Sequence, residues 1–150
     1  MDITPPQAAS ELRGPDRPIT RVLVIDDDAC VSAAIRTILA GRRCETAITS
    51  RAYAGIRALQ RSIFDVVLLD LFMPGLNGLD VIEHIRRGSA IPIIAMSGFR
   101  LRNSSDDDYL GMAAQRGATL CMRKPFKPAQ LIDAIERSQN LHGATLGPAC

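Results

Sequence analysis

The sequence predicts an α/β fold, a doubly wound five-stranded parallel sheet with helices packed on both faces. Three observations carry this expectation. From Arg21 onward, short apolar runs alternate with stretches whose apolar residues recur at helical spacing. The runs Val22–Ile25, Val66–Leu69 and Ile91–Met96 hold no charged residue, as strands buried on both faces require. At 150 residues, 47% of them hydrophobic and 23% charged, the chain has the size and composition of one globular domain with its own core.

Residues 1–20 carry Pro5, Pro6, Pro15 and Pro18 among polar neighbours and read as a flexible arm. Arg21–Ile25 is the first strand. Asp28 is placed to cap a helix over Ala29–Gly41, with Val31, Ala34, Ile35, Ile38 and Leu39 turned to the core and Gly41 as its stop. Glu45–Thr49 is a second, weaker strand. Arg51–Arg61 is a helix with Ala54, Ile56, Ala58 and Leu59 inward, and Asp65–Leu69 is the third strand. A helix from Asn77 or Gly78 to Arg87 spaces Leu79, Val81, Ile82 and Ile85 at a period of about 3.6.

Ile91–Met96 is the fourth strand. A long polar loop over 97–108 follows, in which Asp106, Asp107 and Asp108 can cap a helix reaching Gln115. Ala118–Met122 is the fifth strand. The last helix runs from Pro128, tolerated in a first turn, to about Leu141, with Leu131, Ile132 and Ile135 facing the core. The domain is therefore expected over residues 21–141, with 142–150 a short tail.

Composition removes several function classes. The formal net charge is +2, and no basic run is interleaved with aromatic residues, so no nucleic-acid partner is expected. No apolar stretch approaches the ~18 residues that span a bilayer, and Met1–Thr20 has no signal-like apolar core; no membrane partner and a cytoplasmic location are expected. Cys30, Cys44, Cys121 and Cys150 form no CxxC pair and no ligand spacing with His84 or His142, which favours reduced thiols over disulfides or zinc. His84, Arg42-Arg43 and Arg86-Arg87 read as solvated helix residues, the cations suiting helix C-termini.

Right-handed crossovers bring the C-terminal ends of all strands to one edge, where open α/β sheets place their chemistry. That edge collects Asp26, Asp27, Asp70, Ser97 and Lys124. Each alone has an ordinary explanation as a cap, a turn residue or a solvated lysine. Their joint placement at successive strand ends points to a site. Three carboxylates packed together repel unless some are protonated or a cation lies among them. Mg²⁺ suits such oxygen ligands and leaves positions for phosphate. Asp70 is then the candidate nucleophile toward phosphorus, forming an acyl phosphate. Lys124 would supply a fixed positive charge, and the Ser97 hydroxyl a donor to a phosphoryl oxygen.

Four segments, VLVIDDD at 22–28, DVVLLDLFMPGLNGLD at 65–80, IPIIAMSG at 91–98 and GATLCMRKPF at 117–126, resemble in order and spacing the receiver domain of two-component response regulators, over about residues 20–140. The resemblance implies a flavodoxin-like sheet of order 2-1-3-4-5 and phosphotransfer from the phosphohistidine of a sensor histidine kinase or a phosphotransfer protein to Asp70. It implies Mg²⁺ held by Asp27, Asp70 and the backbone carbonyl of Phe72, with Asp26 assisting through water. Ser97 would fill the switch hydroxyl position. Lys124 would be the lysine before a proline whose peptide bond, here to Pro125, is typically cis. No output segment is recognised after residue 141. The expectation is a single-domain regulator that docks on a downstream protein or passes phosphate along a relay. It would not be an enzyme beyond its own phosphotransfer and slow autodephosphorylation.

The sequence departs from the family pattern in places. Cys121 stands three residues before Lys124, where the family often has an aromatic switch residue, so an inward ring swing behind Ser97 is not available. The Arg100–Asp108 loop is longer than in compact chemotaxis-type receivers. Phe72 and Phe99 lie two residues after Asp70 and Ser97, positions that the resemblance places beside the path of hydrolytic water. Two rings there would exclude or misorient water and give a long-lived phosphoryl group, or one drained mainly by back-transfer. Replacing both with polar residues should speed the loss of phosphate in a decay assay, and unchanged decay would refute the idea. Two rival readings stay open. One is a haloacid-dehalogenase-type phosphatase using Asp26-x-Asp28, although beyond Lys124 only Asp133 and Glu136 could supply its further acidic pair. The other is a receiver-shaped interaction module that is never phosphorylated.

Overall fold

Residues 19–98 and 105–144 are described by a computed structural model of the chain, apart from the side chains of 105–107 and 143–144. Most of the expected N-terminal arm, Phe99, residues 100–104 of the long loop and residues 145–150 of the expected tail lie outside the described residues. The elements in chain order are β1 (Thr20–Ile25), α1 (Ala29–Ala40), β2 (Cys44–Thr49), α2 (Ala52–Arg61), β3 (Val66–Asp70), β4 (Phe72–Met73), β5 (Leu76–Asn77), α3 (Gly78–Gly88), β6 (Ile93–Ser97), α4 (Ser105–Arg116), β7 (Leu120–Arg123) and α5 (Pro128–Ala144). Five strands form one sheet in the order β2-β1-β3-β6-β7, every neighbouring pair parallel. Counted over these five alone, this is the expected order 2-1-3-4-5.

The strands alternate their side chains between two cores, as the period of two dictates. Leu23, Ile25, Val67, Leu69, Ile93 and Ala95 point to one face, where α3 contributes Leu79, Val81, Ile82 and Ile85. Val22, Val24, Val66, Leu68, Ile94 and Met96 point to the other, against Ile35 and Leu39 of α1 and Leu131 and Ile135 of α5. Residues Val66 to Asp70 are all buried, so β3 is the central strand, and it delivers its last residue to the sheet edge with no freedom to slip.

Several local expectations are corrected. Ala34 and Ala54, assigned inward, are exposed; Ser32 in α1 and Ala52 and Gly55 in α2 take the buried positions. An alanine weakly marks a helix face, and a turn of 100° per residue lets a small polar residue replace it. The strand β1 takes Thr20 from the expected arm, and α5 continues past Leu141 to Ala144, into the expected tail. Asp106, Asp107 and Asp108 lie within the first turns of α4, which begins at Ser105, and not ahead of it. That shortens the expected loop. Arg86 is drawn inward and half-buried, while Arg87 and His84 are exposed. No helix of the described residues is long and apolar enough to cross a membrane.

The loop after β3 holds a feature the sequence reading missed, the β4–β5 hairpin with Phe72 opposite Asn77 and Met73 opposite Leu76. Pro74 and Gly75 occupy the turn, and Gly75 takes φ 81°, which costs glycine little. Asn77 then caps α3 by accepting from the Leu79 N–H at 3.0 Å. Gly78 donates its N–H to the Leu71 carbonyl at 3.1 Å. A Cβ on Gly78 would lie 2.5 Å from Leu71 Cα, so only glycine lets α3 start this close to the residue after Asp70.

Candidate functional site

Strand register sets the heights of the site residues. Ile25 pairs with Leu69, so Asp26, one step further, stands level with Asp70. Asp70 pairs with Met96, and Met96 with Met122. Ser97 and Arg123, which pair with each other, are one step higher, and Lys124 follows Arg123. Acidic residues thus lie low in the edge and Lys124 stands above them. The backbone N–H of Lys124 donates to the Ser97 carbonyl at 2.8 Å, tying the two later strands together at this point. The Lys124–Pro125 peptide bond is cis.

The side chains meet as this register requires. Lys124 Nζ lies 2.6 Å from Asp26 Oδ2 and 3.5 Å from Asp70 Oδ2. Asp26 Oδ1 accepts the Asp28 N–H at 2.9 Å, so both oxygens of Asp26 are engaged. Asp70 Oδ1 accepts the Phe72 N–H at 3.1 Å. Asp26, Asp70 and Ser97 are buried, at 1%, 3% and 2% exposure. Asp27 is half-buried. The Asp28 side chain stands apart from the cluster: it accepts from the N–H groups of Cys30 and Val31 and caps α1.

Oxygens of Asp26, Asp27 and Asp70 lie within 4.8 Å of one another. Burial pushes the Asp70 carboxyl up from its ordinary 3.8 to about 6, against the opposing pull of the Phe72 N–H and Lys124, and neighbouring Asp26 adds to the rise. Lys124 pairs with two of the three carboxylates, Asp26 and Asp70. The donor set suits a hard divalent cation, being all oxygen. Asp27 Oδ1 fits as well: it is buried and has no hydrogen-bond partner among the described residues, an arrangement that costs free energy unless something completes it.

Of the residues expected at the site, Asp26, Asp27, Asp70 and Lys124 are brought together, and Ser97 closes the adjacent strand. Phe72 follows Asp70 in β4 with its ring half-buried, while Phe99 lies outside the described residues. A neighbour the sequence reading missed is Tyr109 of α4. Its ring meets that of Phe72 with centroids 4.9 Å apart and planes at 57°. The only sequence signal for it was an aromatic residue following Asp106–Asp108, where the phase of the helix was not fixed. Cys121, on β7 in place of an aromatic residue, donates its thiol to the Leu110 carbonyl of the same helix at 3.5 Å.

Comparison with known proteins agrees with this geometry. Residues 22–136 match the family model described as the response regulator receiver domain. Over 115 residues, 77% of this chain and 49% of the relative, the chain is 35% identical to the DNA-binding response regulator MtrA of Mycolicibacterium paratuberculosis. It is 29% identical to the sensory transduction protein RegX3 of Mycolicibacterium smegmatis, over 78% of this chain and 49% of that protein. The chain thus spans about half the length of the curated relatives it matches. The crystal structure of a response regulator receiver domain protein from Clostridium thermocellum superposes with a TM-score of 0.74 at 26% identity, covering 85% of this chain and 99% of that one.

Proposed function

Because the chain belongs to the response regulator receiver family, we propose that Asp70 accepts a phosphoryl group from the phosphohistidine of a sensor histidine kinase or a phosphotransfer protein. In this reading the phosphorylated chain signals by docking on a downstream protein or by passing the group along a relay. The observation that carries the reading is the buried Asp70 carboxylate, 3.5 Å from Lys124 and clustered with Asp26 and Asp27.

In the transfer, an Asp70 oxygen bonds to phosphorus while the phosphorus–nitrogen bond to the donor histidine breaks and its electron pair returns to the imidazole. Lys124 offsets negative charge on the arriving phosphoryl oxygens, and the Ser97 hydroxyl donates to one of them. Held by Asp27, Asp70 and the Phe72 carbonyl, with Asp26 assisting through water, Mg²⁺ would neutralise charge at the same oxygens. The full engagement of Asp26 and the free Asp27 Oδ1 support that division of labour. The chemistry of the chain is confined to this phosphotransfer and a slow autodephosphorylation.

The receiver unit in this reading spans the expected residues 21–141, extended by Thr20 and by the end of α5 to Ala144, and works in the cytoplasm. The partner is a protein. DNA contact, named for the longer relative MtrA, is not proposed for these 150 residues, whose formal net charge is +2.

Incubation with acetyl phosphate and Mg²⁺, followed by mapping of the modified residue, tests the proposal. Label is expected on Asp70 alone, absent from Asp70→Asn, and reduced by about 100-fold or more when EDTA removes the metal. Label on Asp26 would instead support the phosphatase. A wild type that takes no label would leave the unphosphorylated module.

A further inference from the structure

Helix α4 is lightly held. Of its described side chains only Ala113 is fully buried, whereas α3 buries Leu79, Val81, Ile82 and Ile85. Arg116 pairs with Asp80 at 3.7 Å and Glu83 at 3.1 Å, but these carboxylates are largely exposed, and pairs of that kind contribute little. Toward its N-terminal half the helix rests on the ring of Tyr109 against Phe72. Aromatic pairs in this tilted arrangement are favourable beyond the area they bury. The contact joins the packing of Leu110 and Ala113 on the core in positioning α4.

Phe72 is also tied to the reacting residue. Its N–H donates to Asp70 Oδ1, and β4, which holds it, is braced only by the two-residue strand β5 among the described residues. Conversion of Asp70 from a carboxylate to an acyl phosphate turns Oδ1 into an uncharged acyl oxygen and moves the negative charge onto the phosphoryl oxygens. Hydrogen bonds to charged acceptors are the stronger, so the Phe72 N–H bond to Oδ1 weakens or turns toward a phosphoryl oxygen. A change in that bond reorients the Phe72 residue, whose ring meets Tyr109.

We propose that Tyr109 is the positioning residue that couples α4 to the chemical state of Asp70 through Phe72. The coupling rests on the phosphoacceptor reading above and deepens it by naming the contact that transmits the signal. It also accounts for how a chain with Cys121 on β7 connects its site to the neighbouring helix. An aromatic residue on the helix itself makes the connection, and a ring on the strand is not needed.

Wild type, Tyr109→Phe and Tyr109→Leu, with Tyr109→Met as a second ringless variant, are treated with acetyl phosphate and Mg²⁺. Incorporation is read by intact mass and the protection of α4 by amide hydrogen exchange. Exchange in α4 is expected to change about fivefold on phosphorylation in wild type and Tyr109→Phe, and less than about twofold in the ringless variants. A merely structural Tyr109 would loosen α4 equally in both states, and a fivefold difference preserved in the ringless variants overturns the proposal. So does incorporation into wild type with α4 unchanged. Absence of incorporation in wild type overturns the phosphoacceptor reading and the coupling with it.

Discussion

Arg86→Ala should lower the melting temperature by roughly 6–12 °C, corresponding to about 3 kcal/mol, while Arg87→Ala next to it should shift it by no more than about 2 °C. Arg86 leaves the C-terminal turn of α3 and reaches across the base of the sheet. Its Nε donates to the Gly117 carbonyl at 2.9 Å and its Nη1 to the carbonyls of Ile91 at 2.6 Å and Ser89 at 3.2 Å. Its Nη2 reaches the Thr119 hydroxyl at 3.4 Å. Burial pushes its pKa down, yet a guanidinium stays charged, so each bond is charge-assisted. Those acceptors lie at the end of α3, ahead of β6, and in the turn between α4 and β7. One side chain thus fixes the starting points of the two strands that lead to Ser97 and Lys124. Arg86→Lys keeps the charge but lacks the planar fork, and should recover less than half of the loss. A thermal melt within about 2 °C of wild type for Arg86→Ala would show that other contacts hold these turns.

Asp70→Asn should be more stable than wild type at pH 7.5 without divalent cation, by roughly 1–3 kcal/mol. The sign follows from burial. The folded-state pKa of Asp70 is about 6, above the ordinary 3.8, so the native protein binds the proton more tightly than the unfolded chain does. Stability therefore falls as pH rises between these two values and stays lower above about 6. Below 3.8 the acid is neutral in both states and nothing is lost. Asparagine is uncharged throughout and can still accept the Phe72 N–H. The advantage of the Asp70→Asn variant, measured by melts across pH, should be largest at pH 7.5 and shrink toward zero near pH 4. Millimolar Mg²⁺ should raise the melting temperature of wild type and narrow the gap at neutral pH. A variant less stable than wild type at pH 7.5 would mean that Lys124 and the Phe72 N–H outweigh burial.

The fold was legible because its strands obey strong rules. Val66–Leu69 admits no reading but a buried strand, and alternation of strand and helix leaves few topologies. The candidate site was legible for the same reason: Asp26, Asp70, Ser97 and Lys124 close or follow strands, and parallel strands share one edge. Contacts that depend on helix phase were not. Ala34 and Ala54 looked inward by hydrophobicity, yet Ser32 and Gly55 fill those places. Arg86 sits beside Ile85 on the margin of the apolar face of α3, where spacing does not say whether a long side chain turns to solvent or folds back. Tyr109 depended on where α4 begins, and a polar run such as Ser104–Asp108 marks a helix start only to within a turn. The β4–β5 hairpin has two residues per strand, too few for any period to register.

Gly78 brings no side chain to the chemistry, yet it governs where that chemistry happens. A single methyl group there would strike Leu71 and press on the loop that follows the phosphoacceptor. The position is a vacancy that the site requires, invisible to any search for reactive groups. For a library that varies residues 71–78 to alter the partner or the lifetime of the signal, it sets a rule of space: this position must remain empty.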